Sequence, residues 1–190
     1  MKIQVIRHGK TLANVEKRFC GKTDLSLCKE GIEELMEQRD RINYPKADYF
    51  VTSSKKRTRQ TLYQLYQKEP DFVLSEWDEI DFGDFEMYTY KELKNQPVYI
   101  EWQKHYQTAP FPNGEGREAF LKRIQWGYQK LCCYYEKTDA SILVVTHGGV
   151  IAEWMQLQFP GEKNYYEWQP DFGRGYVVDW ENNQIRYQEL

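Results

Sequence analysis

Two kinds of hydrophobic pattern alternate along this chain: short apolar runs bounded by turn residues, and longer stretches in which apolar residues recur every three or four positions. Ile3 to Ile6 and Ile142 to Val145 belong to the first kind and are too short for helices, so each predicts a buried strand. Asp48 to Thr52 and Phe72 to Leu74 predict two more strands, and Tyr176 to Trp180 with Gln184 to Gln188 predict a hairpin over Asn182-Asn183. Among the helical patterns, Lys29 to Ile42 turns Ile32, Leu35 and Met36 inward, and Lys56 to Gln67 gathers Leu62, Leu65 and Tyr66 on one face, with Ser53-Ser54 as its N-cap and Pro70 beyond its end. Glu92 to Tyr106 predicts a helix interrupted at Pro97. The turn Pro110 to Gly116 then leads into a long helix over Arg117 to Tyr135, and Val150 to Gln158 forms a last one, stopped at Pro160-Gly161. The carboxylate-rich segment Glu76 to Glu86, around Gly83, reads as a loop. Strands alternating with helices predict an α/β fold, a three-layer αβα sandwich on a mostly parallel central sheet.

Composition narrows the function classes. The length of 190 residues suits one domain with a core and one enclosed pocket. A formal net charge of -3 offers no global attraction to nucleic acid or to an anionic membrane, so any anion site has to be local. No apolar stretch approaches the roughly 18 to 20 residues that cross a bilayer. Cys20, Cys28, Cys132 and Cys133 show neither a CxxC pair nor metal-finger spacing, and the chain opens on a strand pattern rather than a signal peptide, which together predict a reducing, cytoplasmic compartment.

Candidate chemistry sits at the strand exits. The chain has three histidines, and two of them follow the buried runs directly, in Arg7-His8-Gly9 and His147-Gly148-Gly149. In open α/β sheets ligands bind beyond the carboxyl ends of the strands, so these exits, together with the helix carrying Arg57, predict one shared site. Phosphoryl transfer needs fixed cations, hydrogen-bond donors, a nucleophile and a proton donor for the leaving group. Arg7 and Arg57 supply planar forks for non-bridging oxygens, and Gly9 and Gly148 allow close backbone approach. A histidine attacks phosphorus only through a neutral ring nitrogen, and flanking guanidiniums favour that neutral form. The group that fixes its tautomer, and the order of the two histidines in the reaction, are open at this point.

Several stretches in order, RHGKTLAN from Arg7, RFCGKTDLSLCKEG from Arg18, TSSKKRTRQT from Thr52, EIDFGDFE from Glu79, PNGEG from Pro112 and VVTHGGV from Val144, resemble the histidine phosphatase superfamily, the phosphoglycerate mutase-like group. The resemblance implies a single domain over residues 1–190 in which 80–116 form a variable cover over the pocket. It also implies a phosphohistidine at His8, with Arg7, Asn14, Arg57, His147 and Gly148 around the phosphate. Glu79 would protonate the leaving group and then activate water. No metal and no cofactor are implied. Compact length and the EIDFGDFE loop are similar to small members of the α-ribazole phosphatase type, acting on a small phosphorylated metabolite.

Departures from the family pattern fall at Lys10, Lys55, Phe85, Met87 and Gly116. They leave the inferred catalytic set intact and bear on the substrate. Tyr88, Tyr90, Trp102, His105 and Tyr106 are either core of the cover or a stacking surface for a ring-bearing substrate. Two other functions compete with a phosphatase: a phosphoglycerate mutase, for which the chain is short, and a phospho-ligand binding module without turnover. Oligomeric state is not legible.

Overall fold

The two apolar runs that end in histidines lie side by side at the centre of one sheet. In the computed structural model, which describes residues 1–106, 108–138, 140–181 and 184–190, with 137 and 138 described by backbone alone, β1 (Lys2–Arg7) and β4 (Ile142–Thr146) pair in parallel. Their register sets Ile3 opposite Ile142 and Arg7 opposite Thr146. His8 and His147, each the next residue, therefore leave the sheet together at one edge. β4 pairs on its other side with β2 (Tyr49–Thr52), also in parallel, and β2 with β3 (Phe72–Val73).

The remaining strands, β5 (Gly175–Glu181) and β6 (Gln184–Glu189), add antiparallel to β1, giving a six-stranded sheet in the order β3-β2-β4-β1-β5-β6. The mostly parallel sheet is as expected. The hairpin turn expected at Asn182-Asn183 lies outside the described residues.

Alternation along the central strands separates two helical layers. Val5, Ile142 and Val144 face Phe120, Ile124 and Leu131 of α6 (Arg117–Thr138) and Val150, Ile151 and Trp154 of α7 (Gly148–Gln158). Ile6, Leu143 and Val145 face Leu35 of α2 (Lys29–Arg41) and Leu62 and Leu65 of α3 (Lys56–Tyr66). Both faces of β4 are covered, which is why its five residues are all apolar or buried. A third, aromatic cluster of Phe85, Leu93 and Tyr99 with Phe19, Phe82, Trp102 and Phe111 stands beside the sheet.

Some local expectations are corrected. Met36 is exposed, and Leu35 carries the contact of α2. Ser53 and Ser54 do not cap α3; Lys55 occupies the cap without a side-chain bond, and Ser53 faces His147 instead. The pattern over Glu92 to Tyr106 is two helices, α4 (Tyr90–Leu93) and α5 (Pro97–Lys104), with Pro97 in the first turn of the second, where a missing N–H is harmless. The loop around Gly83 contains two short 3-10 turns, Ser75–Trp77 and Gly83–Phe85, and Leu12–Val15 forms a short α1.

Leu62 has no exposed surface and holds α3, with its Arg57, against the sheet. Leu62→Ala is expected to cost about 2–5 kcal/mol of stability in urea unfolding. A loss below about 1 kcal/mol would show that α3 is not anchored through this face.

Candidate active site

His8 is buried, and its Nδ1 lies 2.7 Å from the carbonyl oxygen of Gly9. A carbonyl only accepts, so Nδ1 carries the proton and Nε2 keeps its lone pair. The backbone thus fixes the tautomer. Gly9 is itself pinned, its N–H donating to Thr61 Oγ1 at 2.9 Å, and Thr61 donates to the Arg57 carbonyl at 2.7 Å. Burial pushes the His8 imidazole well below its ordinary value, and the Arg57 and Arg7 guanidiniums push it further against the Gly9 hydrogen bond. Both flanking arginines act in the expected direction, but desolvation is the larger cause.

The His147 ring stands edge-on to His8, with centroids 5.1 Å apart. Its Nδ1 accepts from Arg57 Nε at 3.3 Å, and its Nε2 lies 2.7 Å from Ser53 Oγ. An arginine can only donate, so His147 holds its proton on Nε2 and is neutral. Burial first, then Arg57, keeps it well below the ordinary value.

Arg57 is fully buried, and its other two nitrogens donate to main-chain carbonyls: Nη1 to Thr23 and Nη2 to Gly21, each at 2.9 Å. Glu86 fixes the loop that presents those carbonyls, accepting from the N–H groups of Gly21, Lys22 and Thr23 and from Thr23 Oγ1. Arg7 donates Nη1 to the Pro170 carbonyl at 2.9 Å and lies 4.0 Å over the Phe172 ring, while its Nε is buried without a partner. Neither guanidinium forms an ion pair among the described residues. Two shielded cations with no carboxylate on them are unfavourable unless an anion arrives.

Glu79 joins the cluster through the start of α7. Its Oε2 accepts from the Gly149 N–H at 3.1 Å, at the start of α7, and its Oε1 from Ile80 N–H at 3.0 Å. The two glycines after His147 answer to different neighbours. A Cβ on Gly148 would sit 3.1 Å from the Arg7 guanidinium, and one on Gly149 would sit 2.4 Å from Glu79 Oε1. The Tyr165 hydroxyl is 3.1 Å from that second position, and burial lifts Tyr165 well above its ordinary value.

The structure brings His8, Arg7, Arg57, His147, Gly148 and Glu79 together. Asn14 is not joined to them by a hydrogen bond: its Oδ1 accepts from Thr11 in a capping box at α1, leaving Nδ2 without a partner among the described residues. Trp102 belongs to the aromatic cluster, stacked 4.7 Å from Phe111, whereas Tyr88 and Tyr90 are exposed. Ser53, Glu86, Arg123 and Phe172 went unread. Ser53 looked like a cap and Glu86 like one of several loop carboxylates; nothing local marked Phe172 or Arg123.

A family profile, the histidine phosphatase superfamily (branch 1), matches residues 3–190. The chain belongs to the histidine phosphatase superfamily. Among its relatives, the adenosylcobalamin/α-ribazole phosphatase of Escherichia coli is 30% identical over 156 residues, covering 80% of this chain and 76% of that one. The crystal structure of the α-ribazole phosphatase from Shigella flexneri superimposes with a TM-score of 0.86 at 26% identity, covering 100% of this chain and 96% of that one. A 2,3-bisphosphoglycerate-dependent phosphoglycerate mutase of Pseudoalteromonas atlantica is 22% identical over 179 residues, covering 77% of this chain and 78% of that one.

The two neutral histidines make a pH prediction. Folded, both sit well below the ordinary 6.5, while the unfolded chain protonates them below that value, so stability falls as pH drops below about 6.5. Each contributes a slope of up to roughly 1.4 kcal/mol per pH unit. In urea titrations between about pH 5 and 7, His8→Asn is expected to remove about one proton from the wild-type slope. An unchanged slope would mean that His8 protonates in the native protein.

Proposed function

We propose that this histidine phosphatase is a metal-independent phosphomonoesterase that works through a phosphohistidine on His8. The observation that carries the reading is a neutral imidazole with a free Nε2, fixed by the Gly9 carbonyl and set between two guanidiniums that hold no carboxylate. His8 Nε2 bonds to phosphorus as the phosphorus–oxygen bond to the alcohol breaks, and Glu79 gives that oxygen its proton. Glu79 then takes a proton from water, the water oxygen bonds to phosphorus, and the phosphorus–nitrogen bond breaks to release phosphate.

Arg7 and Arg57 neutralise the non-bridging oxygens through both steps. Ser53 Oγ accepts from Nε2–H in one neutral tautomer of His147 and can donate to Nε2 in the other, so it suits both; in the second, Nδ1–H faces a phosphoryl oxygen in place of Arg57 Nε. Asn14 Nδ2 is a further donor for the same phosphate.

Charge around the cluster favours a phosphatase over a mutase. A bisphosphoglycerate brings a second phosphate and a carboxylate, yet Lys10, Arg18, Lys22, Lys55 and Arg117 are each held by a carboxylate of the protein. An uncharged alcohol suits such a rim better, and exposed Tyr88, Tyr90 and Tyr166 offer faces to a ring-bearing one. The proposed substrate is α-ribazole 5′-phosphate, as in the names of its relatives. The proposal includes a cytoplasmic setting, supported by four unpaired cysteines. Among the described residues no helix is long and apolar enough to cross a membrane.

Two experiments test this. Phosphate release from α-ribazole 5′-phosphate is expected to outpace isomerisation of 3-phosphoglycerate with a bisphosphate primer; the reverse order would overturn the substrate reading. Glu79→Gln is expected to lower kcat/KM for benzyl phosphate by roughly 10²–10⁴-fold, but for p-nitrophenyl phosphate, whose leaving group needs no proton, by far less. Equal losses would remove Glu79 from the acid role.

A further inference from the structure

Arg123 lies on α6, outside the cluster of His8, Arg7, Arg57 and His147, yet three of its five N–H groups converge on the main chain of the segment that carries Glu79. Nε and Nη2 grip the Glu115 carboxylate at 2.7 and 2.8 Å. Nη1 donates to the carbonyls of Glu76 and Asp78 at 2.8 and 2.5 Å, and Nη2 also donates to the carbonyl of Glu79 itself at 3.0 Å. A guanidinium has five N–H groups in a fixed plane, and here each has an acceptor. A lysine offers three donors from a point charge and cannot reproduce the arrangement.

The neighbouring contacts show which side of Glu79 is held. Trp77 donates Nε1 to the Ile124 carbonyl at 3.0 Å and packs over Gly127, where a Cβ would come within 2.4 Å of its ring. Trp77 and Arg123 together therefore dock residues 76–79 onto α6. Glu115 ties in the next stretch, its N–H donating to the Asp81 carbonyl at 2.9 Å. Beyond its backbone, the Glu79 carboxylate is hydrogen-bonded, among the described residues, only by the N–H groups of Gly149 and Ile80. Its position relative to His8 thus depends on where the 76–79 backbone is clamped.

We propose that Arg123, oriented by Glu115, is the positioning residue of the proton donor: it sets Glu79 at the leaving-group side of the phosphate without touching substrate. This rests on the phosphohistidine reading and adds to it a residue that acts through Glu79, whose effect on kcat/KM falls in the step where the alcohol departs. Displacement of a catalytic group by about 1 Å can lower a rate by about 10²-fold, so the effect should be large for leaving groups that need a proton.

The test is a series of p-nitrophenyl, phenyl and benzyl phosphates, whose leaving groups are progressively more basic. For Arg123→Lys, kcat/KM on benzyl phosphate is expected to fall on the order of 10–100-fold, and on p-nitrophenyl phosphate by less than about three-fold. Dependence on leaving-group basicity should steepen as it does for Glu79→Gln. Glu115→Gln keeps the arginine and weakens its orientation; it should give the same steepening at smaller size, and it provides the reading if Arg123→Lys does not fold. Equal losses across the series, or none, in a folded variant would overturn the proposal. An acid-labile phosphoenzyme in the wild type separates the two levels: its absence would sink the phosphohistidine reading, while its presence with equal losses would sink only the role of Arg123.

Discussion

The hydrogen bond from His8 Nδ1 to the carbonyl of the next residue is the constraint on which the site depends. With that proton fixed, Nε2 is the ring nitrogen that keeps its lone pair, and burial keeps it unprotonated. Gly9 leaves room for Leu35 of α2, whose side chain would lie 2.6 Å from a Cβ there. Thr61 then ties Gly9 to the carbonyl of Arg57, so the residue that fixes His8 and the buried cation are linked through one hydroxyl.

The electrostatic logic is one of deliberate imbalance. Most cations near the cluster are paired with carboxylates, but among the described residues Arg7 and Arg57 hydrogen-bond only to carbonyl oxygens and a ring nitrogen, with an aromatic face under Arg7 and the Glu79 and Asp171 charges acting on it from outside ion-pair distance. Glu86, which would neutralise a nearby arginine, is turned to the backbone of the loop holding Arg57. The site keeps positive potential without a salt bridge to break before an anion binds.

How much of this was legible follows from where each signal sits in the chain. Strands β1 and β4 showed as apolar runs because both their faces are buried, and the histidines showed because each follows such a run. Their side-by-side placement is a consequence of parallel pairing, which strand–helix alternation predicts. Met36 and the cap of α3 misled because local pattern cannot tell which turn of a helix meets a neighbour, nor that Ser53 has a better partner in His147. Arg123 and Glu86 were hidden for a different reason: their roles lie in bonds to main-chain carbonyls and N–H groups of distant segments, which leave no trace in the identity of the partner residues. The aromatic segment between the acidic loop and α6 was half-legible, since Trp102 and Tyr88 look alike in sequence but one is packed and the other exposed.

The most direct measurement is to mix the enzyme with phosphorus-labelled substrate, quench in denaturant at alkaline pH, and locate the label by its nitrogen position and residue. The account predicts an acid-labile phosphoryl group on Nε2 of His8, lost in His8→Asn. Label on His147, or rapid turnover with no labelled protein at any time, would contradict it.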